Sequence, residues 1–328
     1  MNALHDAGQI IHITETGFPE AALGLYRHLR AHNPVYGRFC SLVGAPEDLS
    51  DWLQIPLMPI TFFRDHDLRT GTFQPQAVFE SSGTTGSIPS RHYVADTGLY
   101  HAVARAGFEK VYGPLEQWCI LALLPSYLER GQSSLVHMVQ HFVEIGGHPE
   151  SGFFLYDHAA LAEKLRKLES AGQKTLLIGV TYALLDFAAA FPQRLRHTVV
   201  METGGMKGRR RELLRAEVHA ELQAAFGVGA IHSEYGMTEL LSQAYAPEGG
   251  LFSCPPWMRV VAVEEDDPGA AHTAAGRSGR LCVIDLANVH SCAFIATGDS
   301  VRLHAGGRFE VLGRLDHTDI RGCSLLAL

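Results

Sequence analysis

Residues 80–91, ESSGTTGSIPSR, concentrate glycine and hydroxyl side chains directly after the apolar run Ala77-Val78-Phe79. Gly83 and Gly86 let the backbone turn tightly and approach a ligand closely. Ser81, Ser82, Thr84, Thr85 and Ser87 add hydroxyl donors to the backbone N–H groups, and such a concavity suits phosphate oxygens. A flexible Ser/Gly linker has the same composition. A Walker P-loop is excluded, because no Gly-Lys-Ser/Thr follows. Three later stretches carry further ligand groups in chain order: SEYGMTE (Ser233–Glu239), TGD (Thr297–Asp299) and GRLDHTDIRG (Gly313–Gly322). Taken singly each says little, since a TGD or a Tyr-Gly pair is common in turns.

The elements that must position these stretches follow from pattern. Residues 19–32 read as an amphipathic helix, with Leu23, Tyr26 and Leu29 on one face. The prolines of IPLMPITFF (Ile55–Phe63) favour an extended segment. Asp96 or Thr97 could cap a helix running to about Tyr112. Strand-like runs at 118–124, 153–156, 174–180 and 197–202 then alternate with helical patterns at 133–147, 158–171, 182–191 and up to Phe226. A further strand-like run, GAIH, precedes SEYGMTE. This alternation predicts an α/β layered domain with a largely parallel sheet. Past Pro255 the texture changes to short strand candidates without a long helix. The expected organisation is an α/β part over 1–255, a β-rich subdomain over 256–315 and a tail over 316–328.

Bulk properties narrow the class. The chain has 328 residues, 46% hydrophobic and 19% charged, as expected of a globular enzyme rather than a disordered segment. Its net charge of −8 argues against a nucleic-acid partner. The one dense basic run, KGRRR (Lys207–Arg211), opens a helical pattern and reads as a solvated helix start. MNALHDAGQI lacks the charged and apolar regions of a signal peptide, and no apolar stretch reaches membrane-spanning length. The six cysteines, Cys40, Cys119, Cys254, Cys282, Cys292 and Cys323, are scattered without a CxxC pair, which predicts neither zinc nor disulfides and a cytoplasmic location. His137 and His141 lie four apart on a predicted helix, with no third ligand in view, so packing is favoured over metal binding.

In this order and spacing the four stretches resemble the adenylate-forming superfamily of acyl-CoA synthetases, luciferases and peptide-synthetase adenylation domains, over the chain from about Phe62 onward. The resemblance implies a layered adenylating domain with parallel sheets and a β-rich subdomain, using ATP and Mg²⁺. It assigns Ser81, Ser82, Gly83, Thr84, Thr85, Gly86 and Ser87 to the β- and γ-phosphates. Tyr235 would face adenine, with Gly236 allowing close approach; a core aromatic at a strand end is the plainer alternative. Thr238 would bond the α-phosphate and Glu239 would ligate Mg²⁺, a hard carboxylate for a hard cation. Asp299 would accept from the ribose hydroxyls and Arg314 would reach ribose or phosphate. Gly204 and Gly205, in ETGGMKG, would form the turn against adenine.

Two departures sharpen the comparison. The loop usually ends Pro-Lys, whereas Pro89 is followed here by Ser90-Arg91, so that Arg91 would have to replace the usual cation. The last lysine is Lys207, and six residues follow Gly322, so the large C-terminal lid domain with its lysine is expected to be absent. That feature, with PSYLERGQSSL (Pro125–Leu135) and the ending RGCSLLAL, is more similar to LuxE-type acyl-protein synthetases. These activate a fatty acid as acyl-AMP and move it to a cysteine near their C-terminus, a position that matches Cys323. Arg321 would favour its thiolate; a small buried cysteine is the alternative. Direct transfer to coenzyme A or a carrier thiol, and a non-catalytic subunit of an acyl-reducing complex, both stay open. The acyl pocket is expected near residues 132–143 and 179–185, and the family implies an acyl-acceptor or reductase protein as partner.

Overall fold

A computed structural model of the chain describes residues 7–81, 88–124, 132–204, 213–264 and 271–315. The chain divides into two compact units, one of residues 1–76, 83–95 and 254–328, the other of residues 77–82 and 96–253.

The second unit is built on a six-stranded sheet in the order Gly152–Phe153, Cys119–Leu123, Thr175–Gly179, Thr198–Glu202, His232–Tyr235, Ala244–Ala246. All neighbours are parallel except the last pair. Cys119–Leu123 and Thr175–Gly179 are buried at every position. That is why they read as unbroken apolar runs rather than alternating ones. The intervening helices start and stop on local signals. Asp96 caps Thr97–Tyr112 by accepting from the Gly98 N–H at 2.8 Å. Ser133 caps Ser134–Gly146, which ends at a left-handed Gly147. Phe108, Phe142, Phe187 and Phe226 from these helices are fully buried. Two expectations shift in detail: the strand expected at 153–156 covers only Gly152–Phe153, and the strand expected at GAIH lies instead at His232–Tyr235. The polar motif itself is therefore the strand, paired with its neighbours on both sides.

In the first unit an antiparallel sheet runs Phe309–Arg314, Phe294–Leu303, Ser278–Asp285, Met258–Val263, Ala271–His272. The N-terminal helices belong to this unit, which departs from the linear division expected at 255/256. Tyr36 stacks on Phe294 with ring centroids 5.6 Å apart, and Tyr26 meets the same ring edge-on at 6.4 Å. The buried Asn33 donates to Thr70 and to the Ser291 carbonyl. Met58–Pro59 adds a short parallel strand beside Ile295 and Ala296, after which Phe62–Asp65 turns helical rather than staying extended. Sequence-distant aromatics thus outweigh chain order in deciding the boundary.

Candidate functional site

In parallel α/β sheets, ligands gather outside the carboxyl ends of the strands. Here Leu123, Gly179, Glu202 and Ser233 form one row across that edge through their paired Cα positions. Gly179 is required by packing, because a Cβ there would lie 3.0 Å from the Leu123 carbonyl oxygen and from the Leu184 side chain.

Glu202 closes its strand and folds back on the turn that follows. Its carboxylate accepts from the Gly204 N–H at 2.7 Å and the Thr181 hydroxyl at 3.1 Å. Arg215 Nε lies 3.4 Å away and His219 Nε2 3.7 Å away, both from the helix Arg215–Phe226. Burial pushes the Glu202 pKa up, but hydrogen bonds from His219, Ser233 and the Gly204 N–H, with the Arg215 charge, outweigh it and hold the group at about 2. Gly204 has φ +74°, a left-handed conformation suited to glycine. Its carbonyl accepts from Thr181 N–H, while Thr203 N–H bonds back to Gly179. The turn is thereby pinned to the neighbouring strand end.

One strand over, Ser233–Glu239 follows the same edge. Tyr235 is buried and meets Phe252 edge-on at 5.9 Å, and the Arg215 guanidinium lies 5.2 Å from the Phe252 ring. Gly236 is exposed, and a Cβ there would be driven into the Glu234 carboxylate. After it the chain turns, with Leu240 N–H bonding to the Met237 carbonyl at 3.1 Å. Thr238 is half-buried and Glu239 buried. Glu234, opposite Tyr245 in register, is buried and accepts no hydrogen bond among the described residues. Burial, and secondarily the Glu202 charge, push its pKa up to about 8. Beside it, Tyr112 Oη and His232 Nδ1 are 3.2 Å apart, and burial pulls the imidazole down to about 4.

Ser81 lies in this unit just past the strand Ala77–Glu80, whose Glu80 N–H bonds to the Gln132 carbonyl at 2.9 Å. The segments expected to line an acyl pocket contribute Met138, Val139, Phe142, Leu184 and Leu185 to the buried core.

The other two motifs belong to the first unit. TGD is not a turn: it sits inside the long strand Phe294–Leu303, just before a bulge between Ser300 and Val301. Thr297 Oγ1 donates to the Leu281 carbonyl at 2.7 Å and accepts from the Asp299 N–H at 3.1 Å. Asp299 faces Arg314 in register, with Oδ1 and Nη1 3.5 Å apart. Arg314 is 76% exposed, so this ion pair is weak and open to a competing ligand. Bulges of this kind re-aim side chains at functional sites.

Ser82, Gly83, Thr84, Thr85, Gly86, Ser87, Gly205 and Cys323 lie outside the described residues. Sequence reasoning missed Glu202, Arg215, His219 and Glu234. The signal for Glu202 was present in HTVVME, an apolar strand ending on a carboxylate before Thr-Gly-Gly. The pair His137 and His141 acquires a neighbour in His101, whose ring stacks on His141 at 4.2 Å. Among the described residues no group of three or more His, Cys, Asp or Glu is arranged to hold a metal ion. A lone carboxylate such as Glu239 does fit Mg²⁺, which commonly uses one or two protein carboxylates plus substrate phosphates. Among the described residues no helix is long and apolar enough to cross a membrane.

No family model matches the sequence, and no curated protein matches it. Solved structures do. 2-Hydroxyisobutyryl-CoA ligase, with 2-HIB-AMP and CoA, superposes with a TM-score of 0.61 at 12% identity, over 93% of this chain and 72% of its own. ATP-bound MatB from Rhodopseudomonas palustris gives 0.54 at 16% identity, over 84% of this chain and 52% of its own. o-Succinylbenzoate coenzyme A synthetase (MenE) from Bacillus subtilis, with AMP, gives 0.52 at 16%, over 74% and 49%. The chain spans about half the length of MatB and of MenE. At these identities the likeness shows the fold alone: a mixed α/β fold shared with these ligase structures.

Proposed function

We propose that the chain activates a carboxylic acid, with fatty acids as the leading class, through ATP to acyl-AMP and passes the acyl group to a thiol. One observation carries this reading. The motif Tyr235–Glu239 and the pinned Gly204 turn lie together on the carboxyl edge of a parallel sheet, in a fold shared with ligases solved with ATP, AMP or 2-HIB-AMP.

In the proposed first step a carboxylate oxygen of the acid attacks the α-phosphorus, the bond to the β-phosphate breaks, and pyrophosphate leaves. Ser81–Ser87 hold the β- and γ-phosphates. Gly204, Gly205 and Tyr235 take the adenine, and the Thr238 hydroxyl bonds the α-phosphate. Asp299 accepts from the ribose hydroxyls as Arg314 turns to the ribose or phosphate. Glu239 would hold Mg²⁺, which supplies charge neutralisation to the phosphates when bound.

In the second step the Cys323 thiolate attacks the acyl carbonyl carbon, and AMP leaves with the electrons of the C–O bond. The remaining cysteines support this choice. Burial pushes the thiols of Cys40 and Cys119 up, and those of Cys254, Cys282 and Cys292 up to about 12. None of those five is poised as a nucleophile. Transfer to an external thiol is the second reading, favoured by the CoA bound in the 2-hydroxyisobutyryl-CoA ligase structure. An acyl-acceptor or reductase protein as the eventual partner is part of the first reading only.

Acid-dependent ATP–pyrophosphate exchange over a panel of fatty and aromatic acids tests the activation step. Exchange stimulated by at least one acid is expected; none across the panel would leave a non-catalytic subunit as the better account. Cys323→Ser then separates the acceptors. It should keep exchange while losing a hydroxylamine-sensitive acyl label, whereas unimpaired thioester formation with coenzyme A favours the external thiol.

A further inference from the structure

The helices Phe18–His32 and Pro34–Leu42 flank a groove of about 580 Å³ that the adenylation reading does not use. Three guanidinium groups line it. Arg27 and Arg30 stand one turn apart on the first helix, hence on one face. Arg38 comes from the second. The crossing is set by Gly37, where a Cβ would lie 2.5 Å from the Arg30 carbonyl oxygen. Only glycine allows that approach, and it brings Arg38 to the groove beside Arg30.

The arginines are held but not consumed. Arg30 Nη1 donates to the Tyr26 hydroxyl at 3.1 Å, and Tyr26 in turn donates to the Pro46 carbonyl. That contact, with the neighbouring Cys40 thiol, fixes Arg30 while leaving most of its five N–H donors unspent. Arg38 is exposed and makes no hydrogen bond or ion pair among the described residues. Arg27 reaches Asp48 at 3.7 Å, with the two side chains 43% and 86% exposed, a contact a better anion displaces easily. Converging guanidinium groups are not generic to this surface, since the protein carries a net charge of −8.

We propose that this groove binds a compact oligoanion of the phosphate type, a diphosphate or the diphosphate end of a nucleotide. Guanidinium groups match phosphate oxygens bidentately. The volume falls within the roughly 300–1,000 Å³ of small-molecule pockets. Glu47 and Asp48 also line the groove, and both are exposed. They would repel an extended polyanion, such as an acidic protein face, laid across the opening. A small anion seated among the arginines meets Asp48 at Arg27, where it takes over a loose 3.7 Å contact. The site uses residues 27–48 alone and does not depend on the adenylation reading.

Equilibrium dialysis of the full chain with radiolabelled inorganic pyrophosphate tests it. Wild type is compared with the double variant Arg27→Gln/Arg38→Gln, both exposed positions, and thermal melts confirm that the variant folds. Pyrophosphate could also occupy a nucleotide site, so the difference between the two proteins is decisive. The double variant should lose one class of sites, or bind there about 10-fold or more weakly, as expected for lost charge-assisted contacts. Arg30→Lys, which keeps charge but not the fork, should fall between. Identical isotherms for wild type and double variant, or no binding by wild type, would overturn the site. A polyglutamate peptide that outcompetes pyrophosphate would overturn the compact-ligand assignment.

Discussion

Glu202 and Glu234 occupy adjacent strands of one sheet, yet their sockets differ in kind. Glu202 pairs in register with Ser233, on the face covered by the helix Arg215–Phe226, and receives Thr181, Gly204, Arg215 and His219. Glu234, the next residue after Ser233, points to the other face by strand alternation. There it is opposite Tyr245 and close to Tyr100 and Tyr112 of the helix Thr97–Tyr112, whose pKa values are pushed up by burial first and by the Glu234 charge second. One face supplies donors to an ionised carboxylate; the other surrounds a carboxyl group with aromatic bulk and keeps it protonated. Opposed environments for neighbouring acids are how a fold separates their roles. The polar face carries the pinned turn and Tyr235 with Phe252, and it is the face on which we place nucleotide chemistry.

The largest expected effect falls on Glu239, the carboxylate assigned to the metal-bound nucleotide. Glu239→Gln keeps the shape and removes the charge. Acyl-AMP formation should drop by roughly two to three orders of magnitude, the scale of losing one charge-stabilising group at a transition state. Full activity in a folded variant would remove Glu239 from that role.

Next come the paired sockets, read through stability against pH. A carboxylate held at about 2 against an ordinary 4.5 stabilises the folded state by about 3 kcal/mol when ionised. That stability is present above pH 4.5 and is lost as the pH falls toward 2. Glu202→Gln should therefore be less stable than wild type by about 3 kcal/mol near neutrality, with the gap closing in acid denaturation series. Glu234 has the opposite sign. Its folded pKa lies above the unfolded one, so its neutral form stabilises below about 4.5 and the advantage is lost as pH rises toward about 8. Glu234→Gln should match wild type in acid and exceed it at alkaline pH, by roughly 5 kcal/mol. Parallel pH profiles for the two variants would erase the distinction between the faces.

A smaller change is expected at Asp299 in the other unit. Asp299→Ala should weaken ATP binding by about 1.5–3 kcal/mol, the worth of a charge-assisted hydrogen bond, without altering acid preference. A shift in acid selectivity with unchanged nucleotide affinity would place Asp299 in the acyl pocket instead.

Much of this was legible in the chain because local rules and tertiary demands agree. The helix caps at Asp96 and Ser133 and the fully buried strands Cys119–Leu123 and Thr175–Gly179 carry their structure in a few adjacent residues. What escaped was decided by distant partners. TGD has turn composition but is strand because Phe294–Leu303 is paired on both sides. The N-terminal helices carry an amphipathic pattern, but nothing in it names Phe294 and Ser291 as the surfaces they cover. Glu234 reads as an ordinary polar residue beside a motif. Only the register with Tyr245 exposes it as a buried acid.

The direct test of the account is to follow oxygen-18 from a labelled carboxylic acid through the reaction with ATP, Mg²⁺ and the wild-type chain. Attack by the carboxylate on the α-phosphorus, followed by thiol attack on the carbonyl carbon, leaves one labelled oxygen in AMP. Mass spectrometry should find AMP heavier by one oxygen-18 in proportion to the thioester formed. Unlabelled AMP, or ADP and labelled phosphate in its place, would contradict adenylation as the chemistry of this protein.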